Sequence, residues 1–165
     1  MKELLIVRHG KSSWDDPDLT DRERPLKRRG REAAPDMGRR LHARGIVPER
    51  VVTSDARRAY DTAALIAEAM SLGHDALAVE PRLYTERASN VLTVAGAVDD
   101  AWRVVALVGH NPALHDLVHQ VSDLRLNKLP TAAVVHLRFA VEHWSAIAPG
   151  GAEVVDYDYP KSGRS

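Results

Sequence analysis

The chain has 165 residues, a length that fits one domain of ordinary size. Its 23 Lys and Arg residues balance its 23 Asp and Glu residues, so net charge does not point to nucleic acid or to an anionic membrane. The absence of cysteine excludes disulfides, thiolate catalysis and Cys-based zinc sites. No apolar stretch approaches the roughly 20 residues that span a bilayer, and the N-terminal apolar run is too short for a signal-peptide core. We therefore expect a cytoplasmic protein.

The first predicted element is a buried strand, the apolar run at residues 4–7, which ends in Arg-His-Gly at residues 8–10. Residues 11–26 are polar and rich in turn formers, which predicts a long loop of the kind that often carries function. Helices and strands then alternate. Helices are predicted over 27–43, from Ser54 or Asp55 to Met70, over 88–98 and over 111–121. Strands are predicted over 51–53, 76–79 and 104–108.

The C-terminal third carries a different pattern. Apolar and polar residues alternate over 133–140, which predicts an edge strand with His136 and Arg138 on a wet face. A second strand is predicted around residues 144–147, and the residues from 156 onward are expected to form a polar, disordered tail. The element order predicts a single α/β domain at 1–155, a three-layer α/β/α sandwich around a mostly parallel sheet, with a tail at 156–165.

Basic side chains follow three of the predicted strands. Arg8 and His9 end the first strand, Arg57 lies in the first helical turn after the second, and His110 follows the strand at 104–108. Because open α/β sheets bind ligands at the carboxyl ends of their strands, these side chains are expected to meet over one pocket. Two arginines, two histidines and a helix N-terminus would make a strongly electropositive hollow, and a dianionic phosphoryl group is its expected occupant.

These segments resemble the histidine phosphatase superfamily, also called the phosphoglycerate-mutase-like fold. The Arg-His-Gly at residues 8–10 is similar to the signature of that family. Residues 54–63 resemble its second phosphate-binding segment, and residues 108–110 resemble the third. Within the superfamily, the short length and the sequences at 8–14, 24–26 with Gly30, and 109–112 look most like the SixA phosphohistidine phosphatases. The resemblance extends from about Leu4 to Phe139.

The resemblance implies a phosphatase with His9 as the nucleophile that takes the phosphoryl group. It implies that Arg8, Arg57 and His110 hold the phosphoryl oxygens, and that no metal and no other cofactor takes part. A neutral imidazole nitrogen needs no deprotonation before it attacks phosphorus. The other ring nitrogen of His9 is expected to donate to a backbone carbonyl, which would fix the tautomer.

The general acid has no clear motif. Glu86 is the candidate and Glu80 the reserve, while the Glu-Gly environment typical of phosphoglycerate mutases is absent. That absence favours a phosphoramidate substrate, because imidazole departs more readily than an alkoxide. Ser12 is a candidate to donate its hydroxyl to the phosphate, and Thr131 is a candidate to reach the pocket rim.

The favoured partner is a protein that carries phosphohistidine, as on a phosphotransfer domain, because the chain lacks the long insertions that enclose small metabolites in larger relatives. One alternative is a phosphatase for a small phosphomonoester such as a sugar phosphate or a nucleotide. Another, from a different class, is a phosphate-recognition module without turnover. The pattern leaves the oligomeric state open.

Three further features have competing interpretations. The basic run over 22–44 is interleaved with acids, which favours a solvated helix face over nucleic-acid binding, although some of its arginines are candidates to meet an acidic substrate. The spacing of His115 and His119 favours a pair of surface histidines over a metal site. Trp14 either anchors a small cluster of side chains or contacts a partner protein. The remaining histidines are expected to face solvent, namely His42, His74, His136 and His143.

Overall fold

The structure is a computed structural model that describes residues 1–164. Within these residues the strands are β1 (Lys2–Arg8), β2 (Arg50–Thr53), β3 (Leu77–Val79), β4 (Val104–Gly109), β5 (Val134–Phe139) and β6 (Ala152–Asp158). The α-helices are α1 (Arg28–Ala43), α2 (Arg57–Ala69), α3 (Ala88–Gly96) and α4 (Ala113–Val121). In this described part of the chain, no helix combines the length and the apolar character that crossing a membrane requires.

The six strands form one sheet in the order β3-β2-β4-β1-β5-β6. The pairs β1–β4, β2–β4 and β2–β3 are parallel, whereas β5 and β6 are antiparallel to their neighbours. The mostly parallel α/β sheet predicted from the sequence is thereby confirmed. In the β1–β4 register Arg8 lies beside Gly109, so the residues that follow these two strands emerge side by side.

The core lies on both faces of this sheet. Strand β1 sends Leu4 and Ile6 into the cluster formed with α3 and α4, and Leu5 and Val7 into the cluster formed with α1 and α2. A strand buried on both faces requires a continuous apolar run, which is why β1 and β4 are the clearest strands in the sequence. The helices on the two faces complete the three-layer arrangement.

The C-terminal third departs from the sequence prediction. Strand β5 is not an edge strand, because β6 pairs with it on the side away from β1. His136 is accordingly buried, with its Nε2 2.7 Å from a carboxylate oxygen of Glu3, and the expectation of a wet face there was wrong. Residues Trp144–Ala146 form a 3-10 turn instead of a strand. The Trp144 indole is fully buried and donates to the carbonyl of Trp102, so this apolar run packs into the core.

The polar residues 156–164 are ordered parts of the fold. Strand β6 continues to Asp158 and a 3-10 turn follows at Pro160–Ser162, so the boundary expected after residue 155 falls inside a strand. Asp158 is only 2% exposed and is within 3.3 Å of Arg40 and 3.2 Å of Arg44, both on α1. Hydrogen bonds and ion pairs thus hold the end of the described chain against α1.

Gly30 in the first turn of α1 lies directly against the loop that follows His9. A Cβ on Gly30 would lie 2.9 Å from the backbone N of Lys11 and would also clash with the Lys11 carbonyl. We expect Gly30→Ala to cost about 1–3 kcal/mol of unfolding free energy and to lower turnover, because backbone must move to admit the methyl group. Gly73→Ala is the matched control, since a Cβ there meets nothing within 4 Å. Thermal unfolding measures the loss of stability in both variants, and steady-state assays measure turnover. Equal effects of the two substitutions would contradict the prediction.

Candidate active site

A hollow of about 250 Å³ opens where β1 and β4 end. Its wall carries the basic side chains of Arg8, Lys11, Arg24 and Arg58 and the two imidazole rings of His9 and His110. None of the residues in this wall is an Asp or a Glu. The hollow therefore attracts anions, and the two rings are the groups in it with nucleophilic nitrogens.

His9 is 7% exposed and is held in one orientation. Its Nδ1 lies 2.7 Å from the carbonyl oxygen of Gly10, and the Gly10 N–H donates to Thr62 Oγ1 at 2.9 Å. Because a carbonyl only accepts hydrogen bonds, Nδ1 must carry the proton, which leaves a lone pair on Nε2. Burial lowers the pKa of His9 to about 3, with the positive charge of Arg58 and Arg8 acting in the same direction. The ring is therefore neutral at physiological pH.

His110 faces His9, with 5.1 Å between the ring centroids. Its Nε2 lies 2.8 Å from Ser54 Oγ, which also accepts the N–H of Ala56. Its Nδ1 is buried and has no hydrogen-bond partner among the described residues. Burial, followed by the charge of Arg58, lowers the pKa of His110 to about 4. Two neutral rings can share this site without repulsion, and the Nδ1 of His110 is left for a ligand.

Two arginines of the hollow are fixed by their own partners. Arg8 Nη1 donates to the carbonyl of Leu129 at 2.8 Å, whereas its Nε is buried without a partner in the described chain. Arg58 is 6% exposed and donates to the carbonyl of Asp21 at 2.6 Å and to its carboxylate at 2.9 Å. The guanidinium groups are thus held in place before any ligand arrives, which is what electrostatic stabilisation of an anion requires.

The structure corrects the expectation for Arg57. Its side chain is 59% exposed, lies 3.6 Å from Asp61 and takes no part in the wall of the hollow, where Arg58 stands instead. Helix α2 begins at Arg57, and neighbouring residues of an α-helix point about 100° apart. This turn directs Arg58 into the hollow and Arg57 toward solvent, so the prediction that Arg57 lines the site was wrong.

The structure also contradicts the expectation for the general acid. Glu86 is exposed and lies outside the wall of the hollow, and its reserve Glu80 caps a 3-10 turn by accepting from Arg82. Both were selected for their place in the sequence, after the third strand. The turn that follows this strand directs neither carboxylate into the hollow.

Asp21, in the long loop, is a carboxylate that contacts two of the three arginines of the hollow, Arg24 and Arg58. Burial raises its pKa, but hydrogen bonds from Tyr84, Arg58 and Arg24 outweigh that effect and hold the pKa well below its ordinary value. Tyr84 Oη donates at 2.5 Å, and Arg24 Nη1 donates at 2.9 Å. Asp21 is therefore ionised and carries no proton to give, so it positions two arginines. Sequence reasoning missed Asp21 because nothing local distinguishes it from the other acids of the loop.

Three residues named as candidates from the sequence lie at the rim of the hollow. Ser12 and Thr131 both line the hollow, and Ser12 Oγ accepts from Arg24 Nη2 at 2.5 Å. Trp14 is 72% exposed, and the Arg24 guanidinium stacks on its ring 3.3 Å from the centroid. Trp14 is thus a surface residue at the pocket mouth and is not part of a buried cluster.

The histidine pair His115 and His119 lies outside the wall of the hollow. The rings of His115 and His119 are 4.4 Å apart, and in residues 1–164 no group of three or more His, Cys, Asp or Glu side chains suits a metal. Most arginines of the basic run pair with carboxylates, among them Arg22, Arg28, Arg39 and Arg44. Arg24, which lines the hollow, and Arg40, which pairs with Asp158, are buried, so the solvated face expected from the sequence does not extend to them.

Two solved structures resemble this fold. The protein histidine phosphatase SixA complexed with tungstate matches with a TM-score of 0.79 and 22% identity, over 96% of this chain and 97% of that chain. A mycobacterial glucosyl-3-phosphoglycerate phosphatase complexed with VO3 matches with a TM-score of 0.71 and 19% identity, over 96% of this chain and all of that chain (100%). At these identities the likeness concerns the fold.

Sequence comparisons identify the family. An uncharacterized protein of Mycobacterium tuberculosis is 31% identical over 166 residues, which cover 94% of this chain and 100% of that protein. An uncharacterized chloroplast protein of Arabidopsis thaliana is 38% identical over 61 residues, which span 37% of this chain and only 28% of that protein. The model of the histidine phosphatase superfamily (branch 1) matches residues 4–84, from β1 to Tyr84. The chain therefore belongs to the histidine phosphatase superfamily (branch 1), and it is a phosphatase of that superfamily.

Proposed function

We propose that this phosphatase removes the phosphoryl group from phosphohistidine on a protein, with His9 as the nucleophile. The observation that carries the proposal is the state of His9. Its Nδ1 is tied to the Gly10 carbonyl and its pKa is lowered to about 3 by burial, so a neutral Nε2 faces a hollow lined by cations. A nitrogen in this state attacks phosphorus without first losing a proton.

In the first step, Nε2 of His9 forms a bond to the phosphorus of the substrate, and the bond from phosphorus to the substrate imidazole breaks. The bonding electrons leave with that imidazole nitrogen. Arg8, Arg58 and His110 hold the equatorial oxygens, and the two guanidinium groups neutralise the charge of the transition state. The step needs positioning and electrostatics, both of which the fixed guanidinium groups supply.

In the second step, water attacks the phosphorus carried by His9. A P–O bond forms, the P–Nε2 bond breaks, and inorganic phosphate leaves together with the proton that water gives up. Burial disfavours the imidazolium form of His9, which is the reason for its low pKa. A weakly basic imidazole is a good leaving group, so the environment that keeps His9 neutral also favours its release.

The lack of an acid in the hollow supports a P–N substrate over a phosphomonoester. An alkoxide leaving group needs a proton from the enzyme, but no carboxyl of residues 1–164 lines the hollow, and Asp21 is held ionised. A phosphorylated imidazole that carries a proton on its second nitrogen departs as neutral imidazole without help. We therefore propose a phosphotransfer-type domain as the protein partner.

A substrate panel tests the proposal. It compares kcat/KM for a phosphohistidine-bearing phosphotransfer domain, a phospholysine peptide, sugar phosphates, nucleotides and p-nitrophenyl phosphate. We expect the phosphohistidine protein to be the best substrate. A higher kcat/KM for a sugar phosphate or nucleotide would establish the phosphomonoester alternative, and no hydrolysis of any compound would establish a recognition module.

The depressed pKa values of both histidines predict the response to acid. With pKa values lowered by burial to about 3 for His9 and about 4 for His110, both rings stay neutral as pH falls from 7 to 5. We expect kcat/KM, corrected for ionisation of the substrate, to fall only near these values. A limb centred on the ordinary histidine pKa of about 6.5 would contradict the assignment. Glu86→Gln serves as a control variant and should leave the profile unchanged.

A further inference from the structure

A second, larger groove adjoins the phosphate hollow. Its volume is about 730 Å³ against about 250 Å³ for the hollow, and the two share Arg8, Lys11 and Thr131 in their walls. A phosphoryl group held by His9 would occupy the hollow and leave the groove to whatever is attached to the phosphorylated residue. The groove is therefore placed to receive the body of the substrate.

The walls of the groove are preformed. One wall is α1, another is the segment that holds Lys128 and Pro130, and a third is the C-terminal turn with Tyr159 and Lys161. Hydrogen bonds and ion pairs of the buried Asp158 fix that turn, as described for the fold. A groove that exists before binding costs little ordering entropy when a ligand enters.

The charge of the groove is strongly positive. Lys11, Arg29, Lys128 and Lys161 are exposed, and none of them forms an ion pair with a carboxylate in residues 1–164.

Both acids in the wall are already neutralised by arginines. Glu32 lies 2.9 Å from Arg28, and Asp36 lies 2.8 Å from Arg40. The four basic side chains therefore lack partners that an acidic ligand would supply.

We propose that the groove binds an acidic segment of the phosphoprotein substrate, next to its phosphohistidine. The proposal rests on the proposed function and adds the sequence chemistry that the enzyme recognises. Lys128 and Lys161 attract the carboxylates, while Pro130 and Tyr159 offer apolar surface to the stems of the same side chains. The charge excess steers the acidic segment to the groove and brings the phosphoryl group over His9.

Two phosphohistidine peptides test the proposal. They are identical except that glutamates flank the phosphohistidine in one and glutamines do so in the other. Binding is measured in the His9→Ala background, where the peptides are not consumed, and turnover is measured with the otherwise unchanged enzyme. We expect the acidic peptide to bind about tenfold more tightly, and this preference to shrink to about twofold in Lys128→Gln/Lys161→Gln, since each surface ion pair raises affinity by no more than about fivefold.

Two controls make the result specific. Arg50→Gln removes one half-buried charge at the N-terminal end of β2, outside the walls of the groove, and should leave the preference unchanged. Turnover of phosphoramidate, which is too small to reach the groove, should stay within about twofold of wild type in the lysine variants. Equal binding of the two peptides overturns the groove proposal. Absence of turnover of both peptides instead overturns the phosphohistidine function, while the binding experiment still reports on the groove.

Discussion

The His9→Ala enzyme is expected to lose about four orders of magnitude or more in kcat/KM, on phosphohistidine peptides and on p-nitrophenyl phosphate alike. The substitution removes the ring nitrogen that forms the covalent intermediate in the proposed mechanism. Steady-state assays measure the loss, and a phosphate-transfer assay with labelled substrate should show no phosphorylated protein. Undiminished turnover would remove His9 from the role of nucleophile.

A fold control accompanies this result. His115→Ala changes a histidine of α4 outside the wall of the hollow and should keep wild-type turnover. The His9→Ala protein should also lose less stability in acid than wild type. Burial lowers the native pKa of His9 to about 3, so between about pH 6.5 and that value only the unfolded histidine takes up a proton. Acid therefore destabilises the wild type over this range, and the alanine variant lacks this contribution.

The strands that carry the site could be predicted because their sequences are nearly unambiguous. An apolar run buried on both faces and closed by Gly or charged residues is typical of a central parallel strand, and both β1 and β4 have this form. The antiparallel side of the sheet could not be predicted in the same way. The half-apolar pattern of β5 fits an edge or an interior strand equally well, and only the pairing with β6 decides between them.

The positions of side chains in the site were less predictable than the strands. Asp21 contacts Arg58, 37 positions away, and Tyr84, 63 positions away, and such contacts leave no local pattern in the sequence. The choice between Arg57 and Arg58 depended on the rotational phase of α2 at its first residues. A helix boundary read from sequence is uncertain by more than the single residue that separates these two arginines.

The rotation of α2 places Arg58 in the wall of the hollow and Arg57 in solvent, so substitutions at the two positions are expected to differ greatly in effect. Arg58→Ala is expected to lower kcat/KM by about two to three orders of magnitude, as for loss of one group that stabilises transition-state charge. Arg57→Ala should stay within about twofold of wild type, because an exposed ion pair such as Arg57–Asp61 contributes little. Steady-state kinetics and the inhibition constant of vanadate check both variants.

Arg58→Lys separates charge from geometry in the same experiment. Lysine keeps the positive charge, but its three donors share one nitrogen and lack the planar fork by which the guanidinium reaches both the Asp21 carbonyl and the Asp21 carboxylate. We expect partial rescue, with kcat/KM between the alanine variant and wild type. Full rescue would mean that charge alone matters at this position. A loss confined to Arg57→Ala would return the phosphate-binding role to the first residue of α2 and require a different rotation of that helix.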